Sequence, residues 1–147
     1  MIMAIEIEPI TKILLDAPVG FVEQTISEII KKPIYLKVVE QNSVLETKYV
    51  RKIVIGHGQF PILRAVVKFD SKNIPQTVMT ALLQKKESIG KILQNNNIKA
   101  QRRSVNVKFE PNRKTVTRDY EILHNGSVWF QISEEIRLGF LCTCKDS

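Results

Sequence analysis

Two charged side chains lie within otherwise apolar rows of predicted β-strands, where a charge can bind or transform a small polar ligand. Successive side chains of a strand point to opposite faces of the sheet. In the predicted strand at 127–137, Glu134 therefore shares a face with the apolar side chains at 128, 130, 132 and 136, whereas Glu135 lies on the polar face. A buried charge is costly unless it is paired or hydrogen-bonded. Glu134 is thus a candidate to donate or accept a proton at a ligand hydroxyl.

Arg51 is the corresponding cation in the predicted strand at 46–55. Alternation places it on a face with the side chains at 49, 53 and 55, while Lys48 and Lys52 lie on the other face. Two interpretations remain open. Arg51 and Glu134 form an ion pair inside the core, or they line a pocket that binds a small anion through the guanidinium and a hydroxyl through the carboxyl.

A second pair of cations, Arg102 and Arg103, opens the predicted strand at 102–109. Alternation from the apolar side chains at 105, 107 and 109 puts Arg103 on the core side and Arg102 outward. A bulge near the start of the strand would reverse this assignment. A solvated basic pair is the alternative, because arginine side chains are mostly exposed.

The elements that must position these residues follow from periodicity and turn chemistry. Pro33 ends an amphipathic helix, and Asn125-Gly126 between two alternating runs is the strongest hairpin signal in the chain. The tail after Cys142 is short and polar, and we expect it to fray. Strands are predicted at 34–41, 46–55, 60–69, 102–109, 116–123 and 127–137, and helices at 20–32, 75–86 and 89–93.

These elements predict an α+β fold, with a single mainly antiparallel β-sheet of five or six strands and helices packed on one face. Short turns join neighbouring strands, which favours antiparallel pairing. The chain has 147 residues, a length that suits one domain over 1–147.

The composition of the chain restricts the kinds of partner that it is expected to bind. The formal net charge of +7 favours anions, including nucleic acids, phosphates and small carboxylates. No basic stripe interleaved with aromatic residues is present, so we expect no nucleic-acid partner. No apolar run approaches about 20 residues and no signal peptide opens the chain, which predicts no membrane partner and a cytoplasmic location.

A metal site is not expected either. Cys142 and Cys144 are interpreted as ordinary thiols, because Cys-x-Cys alone lacks further ligands. His57 and His124 have no partner at metal-binding spacing. No cofactor is predicted.

Four runs, in order, resemble segments of the chorismate pyruvate-lyase family. They are K-Y-V-R-K-I-V-I-G-H-G-Q-F-P-I-L-R-A-V-V at 48–67, E-S-I-G-K-I-L at 87–93, Q-R-R-S-V at 101–105 and Q-I-S-E-E-I at 131–136. The similarity spans about residues 35–137 and is closest to the short archaeal and cyanobacterial-type branch, where V-V-E-Q at 38–41 and R-x-Y-x-I at 118–122 also have counterparts.

The resemblance implies a chorismate-lyase-like fold and an enzyme that splits chorismate into 4-hydroxybenzoate and pyruvate without a cofactor. Arg51 would bind a substrate carboxylate and Glu134 would face the ring hydroxyl, and these two are the catalytic candidates. Arg102, Leu63 and Ile89 complete the implied substrate-binding set. Leu63 stands where the bacterial enzymes often carry a small residue, and the family's Thr before the strand-start Arg is Gln101 or Arg102 here.

A related fold implies a different role, as the effector-binding domain of some bacterial transcription regulators. Such a domain would bind a small acid without catalysis, and we expect no helix-turn-helix within the roughly 30 residues before the predicted sheet. The residues also leave the oligomeric state open between monomer and homodimer.

Overall fold

The chain forms an α+β fold built on one six-stranded antiparallel sheet with strand order β1-β2-β3-β6-β5-β4. A computed structural model describes the backbone of residues 2–146 and the side chains of residues 9–146. The strands are β1 (Tyr35–Leu45), β2 (Lys48–His57), β3 (Phe60–Asp70), β4 (Gln101–Glu110), β5 (Thr115–His124) and β6 (Ser127–Arg137). The helices are α1 (Ile2–Asp16), α2 (Val22–Ile30), α3 (Gln76–Leu83), α4 (Ile89–Asn95) and α5 (Leu138–Asp146), with a short 3₁₀ turn at Ser71–Asn73.

Two three-stranded meanders, β1-β2-β3 and β4-β5-β6, make up the sheet, and α3 and α4 connect them. The meanders join where β3 pairs with β6, with Ala65 opposite Glu134. Asn125 and Gly126 both have positive φ, as the tight turn of the β5–β6 hairpin requires. The predicted sheet, its antiparallel pairing and its hairpins are confirmed.

The core lies between one face of the sheet and the helices. Alternate side chains of the central strands are buried on that face, as the period of a half-buried sheet requires. The opposite face carries exposed polar residues such as Lys52, Arg64 and Ser133. The buried row includes three charged side chains, and these mark the candidate site: Arg51, Arg118 and Glu134.

Two helices differ from the sequence-based expectation. Helix α1 was not predicted, although Leu14 near its end is completely buried. The prediction that the tail frays after Cys142 is wrong, because α5 continues to Asp146 and buries both Cys142 and Cys144 against the core. Across residues 2–146, no helix combines the length and the apolar character that crossing a bilayer requires.

Candidate ligand-binding site

A cavity of about 70 Å³ lies against the helix-covered face of the sheet. Two short segments, residues 19–23 and 88–90, form part of its wall, together with aliphatic side chains of the central strands. The five predicted site residues all line this cavity: Arg51, Leu63, Ile89, Arg102 and Glu134. Leu63 and Ile89 contribute apolar wall, so the charges lie in surroundings that hold little water.

Arg51 projects from β2 into this apolar environment and is completely buried. Its Nη2 donates a hydrogen bond to the carbonyl oxygen of Glu87. Within residues 9–146, its Nε and Nη1 have no hydrogen-bond partner. Burial lowers the pKa of the Arg51 guanidinium to about 10, so the group remains a cation at neutral pH. Arg51 is therefore a buried cation with two N–H groups available to an anion.

Glu134 is also buried, but it has its partners within the protein. Arg118 Nε donates to Glu134 Oε1 at 2.7 Å, and the Tyr120 hydroxyl donates to Oε2 at 2.8 Å. The core ion pair considered from the sequence, Arg51 with Glu134, is not the one that forms. Arg118 lies directly opposite Glu134 in the β5–β6 register, whereas β3 separates Arg51 from β6.

Arg102 reaches the cavity and Arg103 does not, which corrects the assignment made from alternation. The β4–β5 register shifts between Ser104 and Asn106, and this irregularity exchanges the faces of the residues before it. Arg102 lies opposite the buried Ile122, and its Nη1 donates to the carbonyl oxygen of Ala17 at 2.7 Å. Its Nε has no partner among the described side chains and backbone groups.

Arg103 points to the other face and forms an exposed ion pair with Glu121 at 2.6 Å. Arg102, in contrast, is partly desolvated. Its pKa is lowered first by that burial and then by the nearby Arg118 cation. The two neighbouring arginines thus have different roles, one at the cavity and one at the surface.

Two guanidinium groups lie close to the ring of Tyr120. The Cζ atoms of Arg102 and Arg118 lie 4.9 Å and 4.8 Å from its ring centroid, within the range of cation–π attraction. Burial, followed by the nearby Glu134 carboxylate, raises the pKa of the Tyr120 hydroxyl. The hydroxyl therefore keeps its proton and acts as a donor to Glu134.

Arg118 and Tyr120 were not among the predicted site residues. The signal that singled out Glu134 was present for them too, because Arg118 and Tyr120 alternate with Val116 and Ile122 on the buried face of β5. The sequence of β5 thus also contains a charged residue, Arg118, within an otherwise largely apolar row.

The cavity has an excess of positive charge. Arg51, Arg102 and Glu134 line it together with Glu23 from α2, and Arg118 lies immediately behind Glu134. Counting these five groups gives three cations against two carboxylates. Between residues 9 and 146, no cluster of three or more His, Cys, Asp or Glu side chains is arranged to hold a metal ion.

Several solved structures resemble the chain, and two of them come from GntR-family regulators. No family model and no curated protein matches the chain. A GntR-family transcriptional regulator from Bacillus cereus aligns at TM-score 0.47 and 12% identity, covering 71% of this chain and 91% of that one. The ligand-binding domain assigned to a GntR-family regulator of Bordetella bronchiseptica aligns at TM-score 0.44 and 10% identity, covering 71% and 85%. At this level of likeness, neither neighbour assigns a function to the chain.

Proposed function

We propose that the cavity binds a small ring carboxylate and that the chain acts on chorismate, releasing 4-hydroxybenzoate and pyruvate. One observation carries the proposal. Two guanidinium groups, Arg51 and Arg102, line one largely apolar cavity and retain N–H groups without a partner among the described residues. Chorismate carries two carboxylates on a ring, so its charges match the two cations and its ring matches the aliphatic walls.

Burial of the Arg51 cation has a cost in free energy. Removing a charge from water is expensive unless an opposite charge or hydrogen bonds compensate. Among the described residues, Arg51 makes a single hydrogen bond, to the Glu87 carbonyl oxygen. A ligand carboxylate would accept further N–H groups of a planar guanidinium in a geometry that suits both partners. Binding of such a ligand would therefore offset part of the free-energy cost of burying the Arg51 cation.

The proposed reaction is an elimination with no net oxidation or reduction. The ring carbon that bears the hydroxyl loses a proton, and the bond from the adjacent carbon to the enolpyruvyl oxygen breaks. The electron pair leaves with that oxygen, the ring becomes aromatic, and the released enolpyruvate takes up a proton to give pyruvate. Arg51 and Arg102 would hold the carboxylates and stabilise the departing enolpyruvate, and Glu134 would lie near the ring hydroxyl.

A second candidate is the binding of a small aromatic acid without turnover. The engagement of Glu134 favours it, because Arg118 and Tyr120 donate to both of its carboxylate oxygens, so Glu134 is not an unpaired base. The Bordetella bronchiseptica neighbour is named for a ligand-binding role. For this chain, the proposal of binding without turnover rests on the contacts of Glu134 and not on that neighbour.

The test is an assay of the purified chain with chorismate, following 4-hydroxybenzoate and pyruvate by chromatography. Equal formation of both products, lost in Arg51→Met and kept in the matched surface variant Arg64→Met, supports the lyase. Arg64 is exposed on the other face of the sheet. No product, together with a rise in melting temperature on adding 4-hydroxybenzoate, supports the binding domain. If the chain forms no product and 4-hydroxybenzoate does not raise its melting temperature, both candidates are overturned.

A further inference from the structure

Strand β4 lies at one end of the sheet and presents its outer edge to solvent. It follows β5 in the strand order, and within the described residues 2–146 no strand pairs with its other side. Such an edge exposes backbone N–H and C=O groups that can pair with a strand of another chain. Residues 106–110 pair with β5 without a register shift, so this half of β4 is a regular template for a further strand.

The side chains of this edge include an exposed apolar row. Val105 is 65% exposed, Val107 48% and Phe109 49%. Val107 and Phe109 lie opposite Arg118 and Val116, two buried residues of β5, so they belong to the row of side chains that faces the core elsewhere in the sheet. This row is buried on β5 and becomes exposed on β4. An exposed apolar row on a regular edge strand favours association with another chain.

The opposite edge of the sheet, β1, has features that oppose the addition of a strand. Its exposed apolar residues Val39 and Val44 lie at the two places where its register with β2 shifts. Between them, Glu40 carries a charge and forms an ion pair with Lys52 at 3.3 Å. Bulges and charges are features by which edge strands resist pairing. The apolar residues of β1 therefore form no continuous row, in contrast to those of β4.

We propose that two copies of this chain associate through β4 in an antiparallel strand pair, with Val107 at the twofold axis, so that their two sheets become one continuous sheet. A twofold interface is self-complementary, which means that β4 of one copy meets β4 of the other. In this register Val107 faces Val107 of the second copy, and Phe109 lies beside Val105 of the second copy. The apolar row of each copy is thus covered by the same row of the other.

The charges along β4 favour this antiparallel pairing. Arg103 stands near the start of the strand and Glu110 at its end. Pairing about Val107 sets Arg103 of each copy opposite Glu110 of the other, because the register shift after Ser104 takes up one residue. Opposite charges on facing residues stabilise a strand pair. Arg103 donates to Glu121 through Nε and Nη2, and its Nη1 takes no part in that pair.

The first experiment is sedimentation velocity of the unmodified chain from about 5 to 200 µM, where we expect a concentration-dependent dimer. Val107→Lys places two cations beside each other at the axis and removes apolar packing, so the dissociation constant should rise roughly 30-fold or more. Val44→Lys is the matched control, because it introduces the same charge at an exposed valine of the other edge strand. Circular dichroism verifies that both variants are folded.

A charge reversal tests the predicted facing pair. Arg103→Glu sets carboxylates opposite each other and should weaken the dimer about 3- to 30-fold. Adding Glu110→Arg to the same chain restores unlike charges in the reversed sense, so the dissociation constant should return close to that of the unmodified chain. A merely structural effect of either substitution would not be corrected by the other.

The register is tested by cross-linking with oxidised glutathione. Facing residues of an antiparallel pair have Cα atoms about 4.5 to 5.5 Å apart, within the range of a disulfide, so Val107→Cys should give a covalent dimer. The two copies of residue 109 would lie about 14 Å apart, so Phe109→Cys should not. The unmodified chain reports any cross-link through Cys142 or Cys144.

Each failure has a distinct meaning. A monomer throughout the concentration range overturns the proposal, and so does a dimer that Val107→Lys leaves intact. Loss of the dimer in Val44→Lys alone would assign the interface to β1. Species that grow beyond a dimer would indicate head-to-tail pairing of β4 with β1, which does not close. Equal cross-linking of Val107→Cys and Phe109→Cys overturns the register, and a charge reversal without rescue overturns the pairing of Arg103 with Glu110.

Discussion

Gly90 and Gly20 lie in direct backbone contact: a Cβ atom built on Gly90 would come within 2.4 Å of the Gly20 nitrogen. Both residues line the cavity, Gly20 before α2 and Gly90 in the first turn of α4. Gly20 has a φ of +95°, a conformation that favours glycine. The two segments that line the cavity with Arg51 and Arg102 therefore meet through residues that have no side chains.

This contact predicts that Gly90→Ala is harmful to stability and to ligand binding. The added methyl meets backbone, which cannot move aside as a flexible side chain can, so the two segments must separate. Overpacking of this kind costs about 1–3 kcal/mol. Urea denaturation should show the lower free energy of unfolding, and titration with 4-hydroxybenzoate a weaker affinity. Gly139→Ala is the control, because its Cβ would lie 4.0 Å from the nearest neighbour and alanine favours the α5 helix. Equal stability of the two variants would contradict the close contact.

Arg51→Met should stabilise the ligand-free protein while removing its carboxylate site. Arg51 is completely buried, and its Nε and Nη1 lack partners among the described residues, so an apolar side chain of similar length removes a desolvation cost. We expect the free energy of unfolding to rise by about 1–2 kcal/mol, the lost bond to the Glu87 carbonyl limiting the gain.

The measurement is urea denaturation with and without 4-hydroxybenzoate. The ligand should stabilise the unmodified protein and leave Arg51→Met unchanged. A loss of stability greater than about 2 kcal/mol in the ligand-free variant would mean that Arg51 supports the fold rather than a ligand.

The sequence predicted that Arg51 and Glu134 both face the core, in one site. This was possible because the two-residue period of a strand shows which side chains share a face, whatever the order of the strands in the sheet. That period cannot say which strands pair. The partner of Glu134 depends on the β5–β6 register, which sets Arg118 directly opposite it. Arg118 and Glu134 are 16 residues apart in the chain, and their alignment depends both on the tight Asn125-Gly126 turn and on the register shift between Ile122 and Leu123.

The predictions for the start of β4 and for the C-terminal tail were wrong for local reasons. The register shift beside Ser104 inserts one residue, and no feature of the polar start of β4 predicts it. Helix α5 carries Cys142 and Cys144 on its buried side, but its sequence is too short and weakly patterned for a helical period to be recognised. Such elements are stabilised by tertiary packing, which a reading of periodicity does not include.

Arg102 and Arg103 form a matched pair for mutation, because adjacent arginines lie on opposite faces of β4. Arg102→Gln removes a cation of the cavity and its bond to the Ala17 carbonyl oxygen, so affinity for 4-hydroxybenzoate should fall roughly 10- to 100-fold. Arg103→Gln removes an exposed ion pair with Glu121, which contributes about 0–1 kcal/mol, and affinity should not change. Calorimetric titration of both variants with 4-hydroxybenzoate measures the two affinities. Equal losses would mean that net charge alone attracts the ligand.

The pH dependence of benzoate binding tests whether a buried guanidinium holds the carboxylate. Burial lowers the pKa of Arg51 to about 10, so Arg51 stays charged and affinity should remain constant from about pH 6 to 9. Above about 10 the cation is lost, and affinity should decline by up to tenfold per pH unit. Benzoate has no phenol, so the ligand does not titrate in this range.

The decline cannot be attributed to unfolding through the same group. Because the pKa of Arg51 is lower in the folded protein, the folded state releases this proton first. The stability penalty from Arg51 is then fully present below about pH 10 and is relieved as the pH rises above that value toward the ordinary pKa of arginine. Circular dichroism over the same pH range separates binding from folding. An affinity that changes between pH 6 and 9 while the spectrum stays constant would assign the carboxylate to a different cation.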